Sequence, residues 1–170
     1  MRRSTRWMIA GGLAGVGAAV ATAYGLIVRP WHLSWGATPE ELEAEMPDDG
    51  LIPNPNYFAT RAVSIAAPPG KVWPMLLDTR RMPRGTVIRS IDEQNSVSYA
   101  PPEVEAEATW VVRIRPERDG TTRLVSRNRA HFRPYPGSVW RYMWIDPGQF
   151  VVERNWLLGL KRDAEKTTGW

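Results

Sequence analysis

The chain of 170 residues has no cysteine, which excludes disulfides, thiolate nucleophiles and Cys-ligated metal sites. It has two histidines, His32 and His131, and no H-E-x-x-H, G-x-S-x-G, P-loop or dinucleotide-binding pattern. Acids are missing before Glu40, and this decides how the net charge of +4 is read. Three of the 22 Lys and Arg residues (Arg2, Arg3 and Arg6) precede an uncharged stretch, which leaves 19 bases against 18 acids from residue 29 onward. The remainder is close to neutral, so a generally basic nucleic-acid-binding surface is disfavoured. What the chain does have is apolar: 43% hydrophobic residues and nine Trp support a packed core.

Met8 to Val28 form 21 residues without a charge. As a helix rising about 1.5 Å per residue, such a segment covers roughly 30 Å, the thickness of a hydrocarbon core. Trp7, Tyr24 and Trp31 suit the two interfaces, and three Arg before the segment against Arg29 after it predict a cytoplasmic N-terminus. The expectation is a single-pass anchor in the cell membrane, with residues 1–28 as basic tip and span and the rest outside. The alternative is a signal peptide cleaved after Ala23, which would release a secreted domain. Apolar character continuing through Leu26, Ile27 and Val28 favours the anchor.

Residues 29–57 read as a Pro-rich connector with one short helix. Thr38-Pro39-Glu40-Glu41 is a capping box, which predicts a helix from Pro39 to about Met46. A strand over Phe58–Ala66 follows, then a helix from Lys71 to about Arg80, and strands over Thr86–Asp92 and Ser96–Ala100. Arg118-Asp119-Gly120 fits a three-residue hairpin loop with Gly in the left-handed position. The resulting register pairs Ile114 with Leu124, Val112 with Ser126, Trp110 with Asn128, Ala108 with Ala130 and Ala106 with Phe132, all on one face. On the other face Glu107 meets His131, and Arg115 meets Arg123, two like charges expected to splay into water. Asp146-Pro147-Gly148-Gln149 reads as a helix start, predicting a helix from Pro147 to about Lys166. Its apolar stripe would run through Phe150, Val151, Arg154, Leu157, Leu158 and Lys161, widened by Val152, Trp156 and Leu160.

Chemistry-bearing clusters are few. His131 with Glu107 is either a structural cross-strand pair or the core of a catalytic dyad. Seven Arg between Arg113 and Arg133 make either a surface for anionic headgroups or a solvated sheet face, and the strand alternation favours the solvated face. The hairpin's other face mixes Trp110 and Phe132 with Ala, Ser126 and Asn128. Such a face can enclose a pocket beneath a long helix, or be filled from the helix side.

The order strand, A-P-P-G-K-V-W-P, antiparallel strands and long C-terminal helix resembles the START-like helix-grip superfamily, also called SRPBCC, of polyketide cyclases and lipid-transfer proteins. W-G-A-T (Trp35 to Thr38) and W-L-L-G-L-K-R (Trp156 to Arg162) after an N-terminal apolar segment are similar to its membrane-anchored bacterial members. The chain departs from them after the first helix of the domain, where Thr79 to Gly85 pass almost directly into the next strand, so the domain over residues 58–166 is short. The resemblance implies an α+β fold, an antiparallel sheet wrapped on the C-terminal helix. It also implies a small hydrophobic, lipid-like or polyketide-like ligand, lined by Trp110, Ser126, Asn128, Phe132, Trp140 and Phe150, with Ser126 and Asn128 orienting its polar group. No catalytic residue, cofactor or metal is carried over. The alternatives are a ligand-free structural or protein-interaction domain at the membrane, and a cyclase- or hydrolase-type enzyme using His131.

Overall fold

The computed structural model describes residues 19–82, 85–100, 106–132 and 138–166. The chain divides into two compact units, Met1–His32 and Leu33–Trp170. In the first unit residues 19–28 are helical, with a π-helical segment Tyr24–Val28 running into α1, Arg29–Leu33. Val20, Leu26 and Ile27 are exposed there. His32 is buried and shares a 3.2 Å hydrogen bond with the Tyr24 hydroxyl. Among the described residues no helix is long and apolar enough to cross a membrane, and residues 8–18 of the expected span lie outside them.

The second unit is α+β. Its strands are β1 (Tyr57–Ile65), β2 (Val87–Asp92), β3 (Ser96–Ala100), β4 (Ala106–Pro116) and β5 (Thr122–Phe132). They form one antiparallel sheet in the order β1-β5-β4-β3-β2. The helices are α2 (Pro39–Glu43), α3 (Pro69–Leu77) and α4 (Ser138–Lys166). The β4–β5 hairpin has the register its sequence predicts, Ile114 opposite Leu124 and Trp110 opposite Asn128, with Gly120 at φ 81° in the loop. Every inward residue then follows from the two-residue period of the strand.

α4 packs along β1 and against α3, covering one face of the sheet, here called the inner face. Val63, Ile65, Val97, Tyr99, Trp110, Val112, Ile114 and Leu124 of the sheet meet Val72 and Leu76 of α3 and Trp156, Leu157, Leu160 and Ala164 of α4 in one core. Trp110 is wedged between Tyr99 and Trp156, each ring centroid 5.0 Å away. The Tyr99 hydroxyl donates to the Leu76 carbonyl at 2.8 Å, and burial pushes the Tyr99 phenol well above its usual pKa.

Several boundaries differ from the sequence reading. α4 starts at Ser138, nine residues before the expected Pro147, so Pro147 lies inside the helix and Asp146 is a buried helical residue rather than its N-cap. The stripe is also rotated. Phe150, Glu153, Trp156, Leu157, Leu160 and Ala164 face the sheet, while Val151 and Val152 are exposed. The choice between these faces is made by contact with β1, which the helix sequence does not contain. α2 stops at Glu43, with Ala44 already extended, and α3 runs from Pro69 to Leu77, followed by a 3-10 turn at Thr79–Arg81.

The outer face carries the largest correction. Residues 34–53 lie across it as a strap held by Arg113, Arg123, Arg127 and Arg129, so these four are wholly or partly covered instead of solvated or open to headgroups, while Arg115 and Arg118 stay exposed. Arg127, 2% exposed, donates to the carbonyls of Glu41 (2.7 Å), Leu42 (3.1 Å) and Ala44 (2.7 Å), to Thr60 Oγ1 (3.0 Å) and to Asp49 (2.7 Å). Arg129 donates to the carbonyls of Ile52 and Pro53, and Arg113 to that of Glu45. Arg123 holds Glu41 through Nε and NH2 and reaches the Gly36 carbonyl. Arg115 approaches the same carboxylate at 3.5 Å, so the like-charged pair Arg115 and Arg123 is bridged by Glu41 instead of splaying apart. Met46, Ala62, Val111 and Val125 form a small apolar cluster under the strap.

The W-G-A-T segment begins this strap, and each residue has a physical reason. The Trp35 carbonyl accepts from Ala62 N–H at 3.0 Å, covering part of the open edge of β1. Gly36 has φ +72°, and a Cβ there would stand 2.2 Å from the Ala62 carbonyl oxygen. Ala37 packs on the small apolar cluster, and Thr38 makes the capping box with Glu41.

Candidate functional site

At the Tyr57 end of β1 the interior changes character. The inward positions of β1 are Tyr57, Ala59, Arg61, Val63 and Ile65, so strand alternation alone places Arg61 in the core, opposite Ser126 of β5. Glu153 projects from α4 one turn before Trp156 and forms an ion pair with Arg61 through Oε2; the two side chains are 0% and 8% exposed. Ser126 Oγ donates to Glu153 Oε1 at 2.6 Å, and Asn128 Nδ2 donates to Oε2 at 2.9 Å. Trp110 Nε1 donates to Ser126 Oγ at 2.8 Å, and Arg61 NH2 donates to the Tyr57 hydroxyl at 3.3 Å. One carboxylate thus gathers groups from three elements: Arg61 of β1, Ser126 and Asn128 of β5, and its own helix.

Burial opposes the charge on Arg61, but Glu153 and the Tyr57 oxygen outweigh it and hold the guanidinium above its usual pKa. The Tyr57 phenol is pushed up by its own burial, which outweighs the nearby Arg61. Aromatic rings close the cluster on one side. The Arg61 guanidinium lies 5.4 Å from the Phe150 ring, Phe150 meets Trp35 edge-on at 6.2 Å, and Arg154 stacks over Trp35 at 5.1 Å. Phe132 meets Tyr57 edge-on at 6.1 Å.

Of the residues the sequence singles out, Trp110, Ser126 and Asn128 come together around Glu153, and Phe150 joins them through Arg61. Phe132 stands at the Tyr57 side. Trp140 is in α4, but its side chain lies outside the described residues. Sequence reasoning passed over Arg61, Glu153 and Tyr57. The signal for Glu153 was its place three residues after Phe150 and three before Trp156, in the middle of an apolar stripe. That for Arg61 was the alternation with Ala59, Val63 and Ile65.

His131 pairs with Glu107 in register, yet its side chain is exposed and its Nδ1 donates to the Asn54 carbonyl at 3.2 Å. Among the described residues it therefore borders solvent and the Asn54 carbonyl. Among the described residues no group of three or more His, Asp or Glu is placed to hold a metal ion. An open depression of about 600 Å³ lies at the other end of β1, lined by Ser64, Ile65, Ala66, Glu117, Arg118, Asp119, Thr121 and Lys161. None of the residues of the Glu153 cluster reaches it.

No protein-family model and no curated protein matches the chain. Solved structures do. The hypothetical protein jhp0584 from Helicobacter pylori superposes with a TM-score of 0.53 at 9% identity, over 71% of this chain and 95% of that one. DynU16, a putative protein in the dynemicin biosynthetic locus, gives 0.43 at 14% identity over 65% of this chain and 49% of its own. The Polyketide_cyc-like protein Cgl2372 from Corynebacterium glutamicum gives 0.37 at 12% identity, over 62% and 89%. At these identities the likeness is one of fold, and with jhp0584 it extends over 71% of this chain.

Proposed function

We propose that the chain is a membrane-tethered domain of the START-like, SRPBCC type that binds a small hydrophobic ligand between the inner sheet face and α4. The buried Arg61–Glu153 pair carries this reading. Desolvating two charges costs several kcal/mol per ion, and apolar side chains of similar volume generally stabilise a core as well or better. Stability alone gives no reason for the pair. A few convergent polar groups among aromatic walls are the usual make-up of a small-molecule site. The ligand's apolar body packs on Phe132, Phe150 and Trp110, and its polar group is oriented from the Ser126–Asn128 side. Tethering is supported by the uncharged residues 8–28, by the Arg bias across them, and by the exposed Val20, Leu26 and Ile27. It puts the N-terminus in the cytoplasm and the domain outside.

The test is a titration of the full chain in lipid nanodiscs with fatty acids, isoprenoids and polycyclic aromatic ketones, followed by intrinsic Trp emission. Saturable change with one class, lost in Asn128→Ala, is the expected result. A folded chain that responds to none of them overturns the reading in favour of a ligand-free structural domain. External protease added to spheroplasts carrying a C-terminally tagged chain tests the tether. A protected tag would reverse the orientation, and a shortened soluble product would replace the anchor with a cleaved signal.

A further inference from the structure

Trp110 and Trp156 meet edge to face in the interior, and their N–H groups are treated differently. Trp110 donates to Ser126, whereas Trp156 Nε1 is buried with no hydrogen-bond partner among the described residues. Native interiors rarely leave a donor in this state, because it loses its water without a replacement. Ser126 Oγ accepts from Trp110 and donates to Glu153, and the Glu153 oxygens receive Ser126, Asn128 and Arg61. Glu153 stands one helical turn from Trp156 but is drawn to the sheet. A trapped water is a poor substitute, because it needs two to four polar partners. The cluster that contains Trp156 is built from Val63, Leu76, Met82, Leu157, Leu160 and other apolar side chains.

Resting on the ligand-binding reading above, we propose that Trp156 Nε1–H is the donor that reads an oxygen acceptor on an otherwise apolar ligand. The acceptor is neutral, a ketone, ester or amide carbonyl. A carboxylate placed there with one donor would be a poorly solvated buried charge. The ligand class is therefore a long or polycyclic neutral carbonyl compound, and free acids and plain hydrocarbons are disfavoured.

Matched probes test this: 2-tridecanone, n-tridecane and dodecanoate, each measured by displacement of a fluorescent lipid probe from the full chain in nanodiscs. Wild type is expected to bind the ketone about fivefold to tenfold more tightly than the alkane, the factor one hydrogen bond supplies. Trp156→Phe should lose that preference and keep its alkane affinity, with its folded state checked by circular dichroism because the smaller ring leaves a cavity beside Trp110. A second measurement needs no variant: in protein labelled with 15N-tryptophan, one indole N–H resonance should shift downfield with the ketone and stay fixed with the alkane. If wild type binds the ketone and Trp156→Phe binds it equally well, or no indole resonance responds, the donor role is wrong and the binding reading stands. If wild type binds none of the three, while the wider library also fails, the binding reading falls and takes this inference with it.

Discussion

On the outer face of the sheet Arg127 is 2% exposed and gives its hydrogen bonds mostly to backbone carbonyls of the strap. On the inner face Arg61 is 0% exposed and answers a carboxylate. The two sit on neighbouring strands, and each is buried because its donors are met. Their consequences differ. Arg127 meets three backbone carbonyls besides Asp49, and Arg123 meets the buried Glu41 and the Gly36 carbonyl, so the outer arginines staple residues 34–53 through backbone and carboxylate acceptors together. The inner pair desolvates both partners and returns little net stability. One face uses arginine to build the fold, and the other spends stability on a polar interior.

The largest effect that would sharpen this contrast comes from breaking the inner pair. Glu153→Ala removes the carboxylate that Arg61, Ser126 and Asn128 meet in the interior, and should destabilise the domain by about 3–5 kcal/mol in chemical unfolding of the full chain. The double change Arg61→Met, Glu153→Leu should recover most of that loss while abolishing ligand response. A double variant as unstable as the single one would make the pair a structural necessity and remove the argument for a site.

Arg127→Met should cost less, about 2–3 kcal/mol, since two of the three carbonyls it releases are only partly buried and can find water. Hydrogen exchange should accelerate across residues 39–51 with the inner core unchanged. If exchange rose equally on both faces, strap and core would be one cooperative unit. Gly36→Ala follows, at roughly 1–3 kcal/mol, because its Cβ would strike the Ala62 carbonyl in a left-handed backbone conformation. Faster exchange of the Ala62 amide is its signature.

The smallest effect is a pH dependence of the strap. Burial raises the Glu41 pKa, but Arg123, the Thr38 amide and Arg115 outweigh it and hold the carboxyl below its usual range. A lowered folded pKa means that the contribution is complete above about pH 4.3, the ordinary unfolded value, and is lost as pH falls through the folded one. Protection of residues 39–51 should therefore fall in acid, and Glu41→Gln should remove that acid dependence while lowering protection at neutral pH. An unchanged acid profile in Glu41→Gln would assign the effect to other carboxylates.

The hairpin and the capping box were legible because their causes are local. Arg118-Asp119-Gly120 fixes the loop, the loop fixes the register, and a period of two fixes the faces. Thr38 and Glu41 satisfy each other's backbone donors within one turn. The start of α4 was not legible. Asp146-Pro147 has the local form of a helix start, yet the helix runs on from Ser138 through Pro147 with Asp146 buried. The long-range partners of Arg127 were equally hidden, since the strap carbonyls lie 83 to 86 residues away in sequence.

The sequence by itself determined the strands, their alternation and the register of the central hairpin, because turn chemistry and side-chain period act over a few residues. It also determined which positions of β1 share a face, and so set Arg61 on the same side as Val63 and Ile65. Only the tertiary structure decided that this side is covered by α4, that Glu153 and not Arg154 turns inward, and that the outer arginines find carbonyls instead of water. Those outcomes depend on which surfaces meet after the chain closes. Burial then forces every donor and charge to find a partner wherever the fold has brought one.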